Sequence, residues 1–154
     1  MNTRPMTKDE ILKLERSYSE SKIQHTCVCW FRRTFPHVAD LLFAVPNGGK
    51  RDPRTGAMMK YEGAVSGVAD LILLFPHGGK ASLCIEMKVP KRKGSSAGSQ
   101  SENQRAWQSL VEKYGSEYCV CHGIFEFVTV VCSYLHIDPR PHIERVLEQY
   151  AIFR

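Results

Sequence analysis

No apolar run in this sequence is long enough to cross a bilayer; stretches such as Leu71–Phe75 are only strand-sized. The opening "MNTRPMTKDE" lacks the apolar core of a signal peptide, so an intracellular, cytoplasmic protein without a membrane partner is expected. Internal repeats and low-complexity tracts are missing, and none of the six cysteines forms a C-x-x-C pair. Two C-x-C pairs, Cys27/Cys29 and Cys119/Cys121, raise the question of zinc. Cys27 and Cys29 fall on a predicted helix, where positions two apart face different ways. The cysteines therefore read as small core residues kept reduced.

Acidic charge is the minority. The 16 Asp and Glu against 21 Lys and Arg leave a net charge of +5. The basic residues cluster: "GGKRDPR" and "KVPKRKG" hold Lys50, Arg51, Arg54, Lys88, Lys91, Arg92 and Lys93 against one acid, Asp52. Both stretches are rich in Gly and Pro and read as loops. They are either solvated surface or a rim that contacts phosphates of a nucleic acid. With 154 residues, 43% of them hydrophobic, the chain is expected to form a single domain over 1–154. The core is expected at about 17–136, with a C-terminal helix at about 141–150.

Thr7 to Glu10 fits a capping box before a short helix, and Ser17-x-x-Glu20 fits a second one opening a helix to about Phe35. The second helix carries an apolar stripe of Ile23, Cys27, Trp30, Phe31 and Thr34, with Glu20 one turn before it. Strands are predicted at 41–46, 68–75 and 81–89 and in "EYCVC". Helices are predicted at 55–61, 101–114 and 141–150, and 123–135 reads as helix with strand as the alternative. The fold class is mixed α/β, a sheet covered by helices.

The stretch "GVADLILLFPHGGKASLCIEMK" sets Asp70, Glu86 and Lys88 at the ends of apolar runs. Taking 76–80 as a hairpin loop pairs Phe75 with Ala81, and the same register carried outward sets Asp70 opposite Glu86. Side chains so placed have Cβ atoms roughly 5 Å apart. Lys88 shares their face, while Ile85 and Met87 point the other way. Two carboxylates that close repel, and a divalent cation relieves the repulsion. An oxygen-rich site suits Mg²⁺ or Mn²⁺. A salt bridge at a strand end is the plainer alternative.

These residues resemble the PD-(D/E)xK nuclease superfamily and, more narrowly, the VRR-NUC family of virus-type replication-repair nucleases. The resemblance rests on Glu20 in a leading helix, "VPNGGKR", "GAVSGVAD", "IEMK" and "SENQRAW", and runs from Ser19 to about Cys121. It departs from the superfamily pattern at Ala69, where a proline would precede the first acid. It implies a restriction-endonuclease-like fold, a mixed sheet core flanked by helices. Asp70 and Glu86 would hold the metal, with the Met87 carbonyl and Glu20 as further ligands. Lys88 would be the catalytic lysine, Gln104 would support the site, and Asn47 would sit in a loop beside it. Capping alone also explains Glu20 and Gln104, each being third in a capping box.

The expected function is a Mg²⁺- or Mn²⁺-dependent DNA endonuclease. The resemblance points to branched DNA such as Holliday junctions and to a homodimer, with an apolar face on the leading helix or on 123–135 as interface. DNA would be gripped by Asn47, Lys50, Arg51, Arg54, Lys91, Arg92 and Lys93. Alternatives are nicking or flap cleavage, a non-catalytic DNA-binding module of the same fold, and an interaction protein with a fortuitous carboxylate pair.

Overall fold

The computed structural model describes residues 4–46, 52–91, 94 and 98–154. Helix α1 spans Lys8–Glu15 behind the expected capping box at Thr7 and Glu10. Helix α2 spans Glu20–Thr34, but its cap is Ser19, whose hydroxyl accepts from the Lys22 amide. Ser17 is not the cap expected from the sequence. Its hydroxyl donates to the Leu14 carbonyl at 2.6 Å, inside the turn that ends α1. Glu20 is therefore the first residue of α2, and the capping-box explanation for it falls away. The α2 stripe buries Ile23, Thr26, Cys27, Trp30 and Phe31, while Thr34 is only half-buried. Each large apolar group there contributes about 1.5–3 kcal/mol on leaving water.

A 3₁₀ turn over Pro36–Leu41 leads into β1 (Leu42–Ala44), and α3 covers Pro53–Tyr61. Strands β2 (Leu71–Leu73) and β3 (Leu83–Met87) follow, then α4 (Glu102–Lys113), β4 (Glu117–Cys121), α5 (Ile124–Tyr134) and α6 (Arg140–Phe153). The segment read as helix or strand is the helix α5. Its apolar residues are spent in the core, with Ile124, Phe125, Phe127, Val128, Val131, Cys132 and Tyr134 buried. That leaves no broad apolar face on α5 for a second copy.

The sheet has four strands in the order β1-β2-β3-β4; β1–β2 and β2–β3 are antiparallel and β3–β4 is parallel. The parallel pair is joined by α4, the crossover such a pair requires. The β2–β3 pairing is Leu71 with Ile85, Ile72 with Cys84 and Leu73 with Leu83, the register that the hairpin loop predicts. The strands are shorter than expected. Past Leu71, the backbone amide of Met87 is taken by the Asp70 side chain rather than by a strand, so the ladder stops where the acid begins.

One face of the sheet meets the main core: Leu42, Leu71, Leu73, Leu83, Ile85 and Met87 lie with Ile23, Trp30, Phe31, Phe127 and Val146. The other face carries a smaller cluster of Ala69, Cys84 and Tyr118 under Trp107 and Val111 of α4. Glu86 and Lys88 alternate with Ile85 and Met87 and so belong to the α4 face. At the far end, the hairpin loop is pinned to α5. His77 Nδ1 donates to the Tyr134 carbonyl at 2.8 Å, and the Tyr134 hydroxyl donates to the Phe75 carbonyl at 2.7 Å. His77 is a turn residue, as the arithmetic places it. No helix among the described residues is long and apolar enough to cross a membrane.

Candidate active site

Asp70 leaves the sheet just before β2, and its Oδ2 accepts from the Met87 amide at 2.8 Å. That bond ties the first acid to the strand that carries the second. Gly67, three residues earlier, lets the segment close on α4. Its φ is +84°, and a Cβ there would collide with the Asn103 carbonyl. Asn103 in turn donates to the Ser66 hydroxyl at 3.0 Å. The glycine of the Gly-x-x-Asp pattern is thus a packing requirement of the site, which the sequence alone does not reveal.

Glu86 is buried at 1% exposure. Its Oε1 accepts from Lys88 Nζ at 3.2 Å and from Gln104 Nε2. Gln104 Oε1 accepts from Lys88 Nζ at 3.2 Å and from the Ser101 amide at 2.8 Å. Gln104 is thus a capping residue and a site residue at once. The two roles use different bonds of one amide. Trp107, one turn along α4, packs edge-on against Tyr118 of β4 with ring centroids 6.1 Å apart.

Glu86 Oε2 is buried and no donor among the described residues reaches it, while the Asp70 carboxyl lies close enough to share a proton with Glu86. Burial pushes the Glu86 carboxyl up to about 7; the nearby Asp70 charge raises it further, and Lys88 opposes both. Burial also raises Glu20, with Asp70 again adding to the shift and Lys88 opposing it. Glu20 thus lies within electrostatic reach of both residues, at the first turn of α2. Among the described residues no three His, Cys, Asp or Glu side chains form a ready cation cage. The groups that could hold a cation are Glu86 through Oε2, Asp70 through Oδ1, and the Met87 carbonyl between Glu86 and Lys88, with Glu20 within electrostatic reach.

Of the basic residues, Arg54 is exposed near the start of α3 and Lys91 is exposed three positions past Lys88. Asn47, Lys50, Arg51, Arg92 and Lys93 lie outside the described residues. Cys27, Cys84, Cys121 and Cys132 are buried, and all six thiols are free. A pair of carboxyl groups, a lysine and an amide converging under one helix can take a cation and a phosphate together.

The profile of the VRR-NUC domain matches residues 18–125. A solved structure described as a VRR_NUC domain protein superposes with a TM-score of 0.64 at 23% identity, over 78% of this chain and 90% of that one. Among curated proteins none matches. The profile spans α2, the sheet and the start of α5, and includes Glu20, Asp70, Glu86, Lys88 and Gln104. The chain belongs to the VRR-NUC family, a nuclease-type family.

Proposed function

We propose that the protein is a Mg²⁺- or Mn²⁺-dependent endodeoxyribonuclease acting on branched DNA, four-way junctions in particular, as a homodimer. The observation that carries the chemistry is the buried Glu86 carboxyl, whose Oε2 no donor reaches, set against the carboxyl of Asp70. A buried carboxylate oxygen without a donor is costly, and a hard cation shared with Asp70 would satisfy it. With a two-carboxylate pair, remaining sites filled by the Met87 carbonyl, water and substrate oxygens match the habits of Mg²⁺.

When bound, the cation would supply Lewis acidity at the phosphate and hold Glu86 ionised. The protein's own groups do the rest. Lys88, only 13% exposed, has its ammonium fixed between Glu86 and Gln104, where it can meet the charge that grows on a phosphate oxygen. Gln104 orients both partners from the start of α4. Glu20 adds negative potential from the α2 side. Arg54 and Lys91, with their sequence neighbours Lys50, Arg51, Arg92 and Lys93, would contact backbone phosphates without reading bases. Two sites related by a two-fold axis suit paired cuts in a four-way junction.

The test is cleavage of a labelled four-way junction and its matched linear duplex in Mg²⁺ or Mn²⁺, with sedimentation of the protein alone. Faster, paired cutting of the junction by a dimer is expected. Equal cutting of both substrates would remove the branched-DNA claim. Salt-sensitive binding without cutting in either metal would identify a DNA-binding module instead.

A further inference from the structure

His122 lies between β4 and α5, outside the constellation above, and its ring is held at both nitrogens. Nδ1 is 3.1 Å from Glu126 Oε2, and Nε2 is 3.0 Å from the carbonyl of Gly98. The Gly98 carbonyl only accepts, so Nε2 is the donor in that bond. Glu126 also accepts from the His122 amide at 2.6 Å. That bond is explained by helix capping, because Gly123 offers α5 no side-chain cap. Capping does not explain the bond to Gly98, which is 24 positions away and belongs to another segment.

Gly98 lies beside the chain just past β3, where its amide donates to the Val89 carbonyl at 3.3 Å. A Cβ built on Gly98 would lie 3.4 Å from Lys88 Cβ and 3.5 Å from Lys88 Cδ. The Gly98 backbone is therefore a wall beside the lysine stem, with room for a methyl group between the two. The other constraint on Lys88 comes from the same joint: its amide donates to the carbonyl of Cys121, the residue before His122, at 2.9 Å.

We infer that His122 is a positioning residue for Lys88, acting through Gly98. By gripping the Gly98 carbonyl it fixes the wall that keeps the lysine stem straight and its ammonium between Glu86 and Gln104. Glu126 orients the ring for that grip, as carboxylates do for functional imidazoles elsewhere. This rests on the reading that Lys88 acts on the phosphate.

The test compares two isosteres in the full chain. His122→Gln keeps a donor at the place of Nε2 and so keeps the grip on Gly98. His122→Asn keeps one at the place of Nδ1 and loses it. Two readouts are taken: single-turnover cleavage of the four-way junction at saturating protein, with its half-saturation, and the rate at which acetic anhydride labels Lys88, read by mass spectrometry. His122→Asn should lower the cleavage rate about tenfold with half-saturation unchanged and label Lys88 several-fold faster, whereas His122→Gln should stay within about threefold of wild type. Gly98→Ala, which fills the space between that wall and the stem with a methyl group, should slow Lys88 labelling without touching His122. Equal rates and equal labelling in His122→Asn and wild type would overturn the inference, as would equal damage in both isosteres. If labelling separates the variants but wild-type protein cuts no DNA, the positioning stands and the nuclease reading falls.

Discussion

Glu15 and Glu86 are both buried carboxylates, and their surroundings give them different tasks. Glu15 is fully buried at the end of α1; its Oε1 accepts from the Ile124 amide at 2.8 Å and so caps α5. Burial pushes it up to about 7, against the capping bond, and the Glu126 charge adds to the rise. Its folded value lies above its ordinary one, so its stabilising contribution is complete below about pH 4.5 and is lost as pH rises through 7. Relative to Glu15→Gln, the wild-type chain should lose up to ~3 kcal/mol between these limits, read by urea unfolding at pH 4.5 and pH 8. A constant gap between the two proteins would contradict this. Gln104 offers a second residue-scale test. Gln104→Ala should lose about 1 kcal/mol of capping and slow cleavage about 10- to 100-fold. Gln104→Glu keeps the cap, so thermal unfolding should stay near wild type while cleavage still falls from the added charge beside Glu86. Asp70, Glu86 and Lys88 were legible because strand alternation and one hairpin fix their relation. The task of Glu15 was not, because Ile124 lies 109 positions away and no local pattern joins them.

At the scale of elements, local signals placed most helices and strands but misplaced their ends. Ser17 and Ser19 both offer a hydroxyl for α2, and tertiary turning after α1 decides for Ser19. Strands β2 and β3 stop early because Asp70 takes the amide that a longer ladder would use. Helix α4 is held over the sheet by Trp107 on Tyr118 and by Gly67 under its first turn. Gly67→Ala should therefore cost more than about 1 kcal/mol of stability and also slow cleavage, because Asp70 follows three residues on. Unchanged melting and unchanged rate would show that this seam does not position the acid. Helix α5 shows the same limit: a helix apolar on most sides is a core helix, and only packing reveals which sides are covered.

Across the whole molecule, the sheet divides labour between its faces. One face meets the main core of α1, α2, α5 and α6, and the other carries a thin cluster under α4 in which polar groups replace apolar ones toward one end. The net charge of +5 favours an anionic partner, and binding to DNA should weaken as salt rises. The central claim is that the Asp70, Glu86, Lys88 and Gln104 cluster performs cation-dependent phosphodiester hydrolysis. Single-turnover cleavage of a labelled four-way junction tests it most directly, run in Mg²⁺, in Mn²⁺ and in excess chelator, with Glu86→Ala and Lys88→Ala alongside. Cleavage only with a divalent cation, reduced at least about 10³-fold in both folded variants, is the expected result. Wild-type cutting in chelator, or equal cutting by the variants, would contradict it.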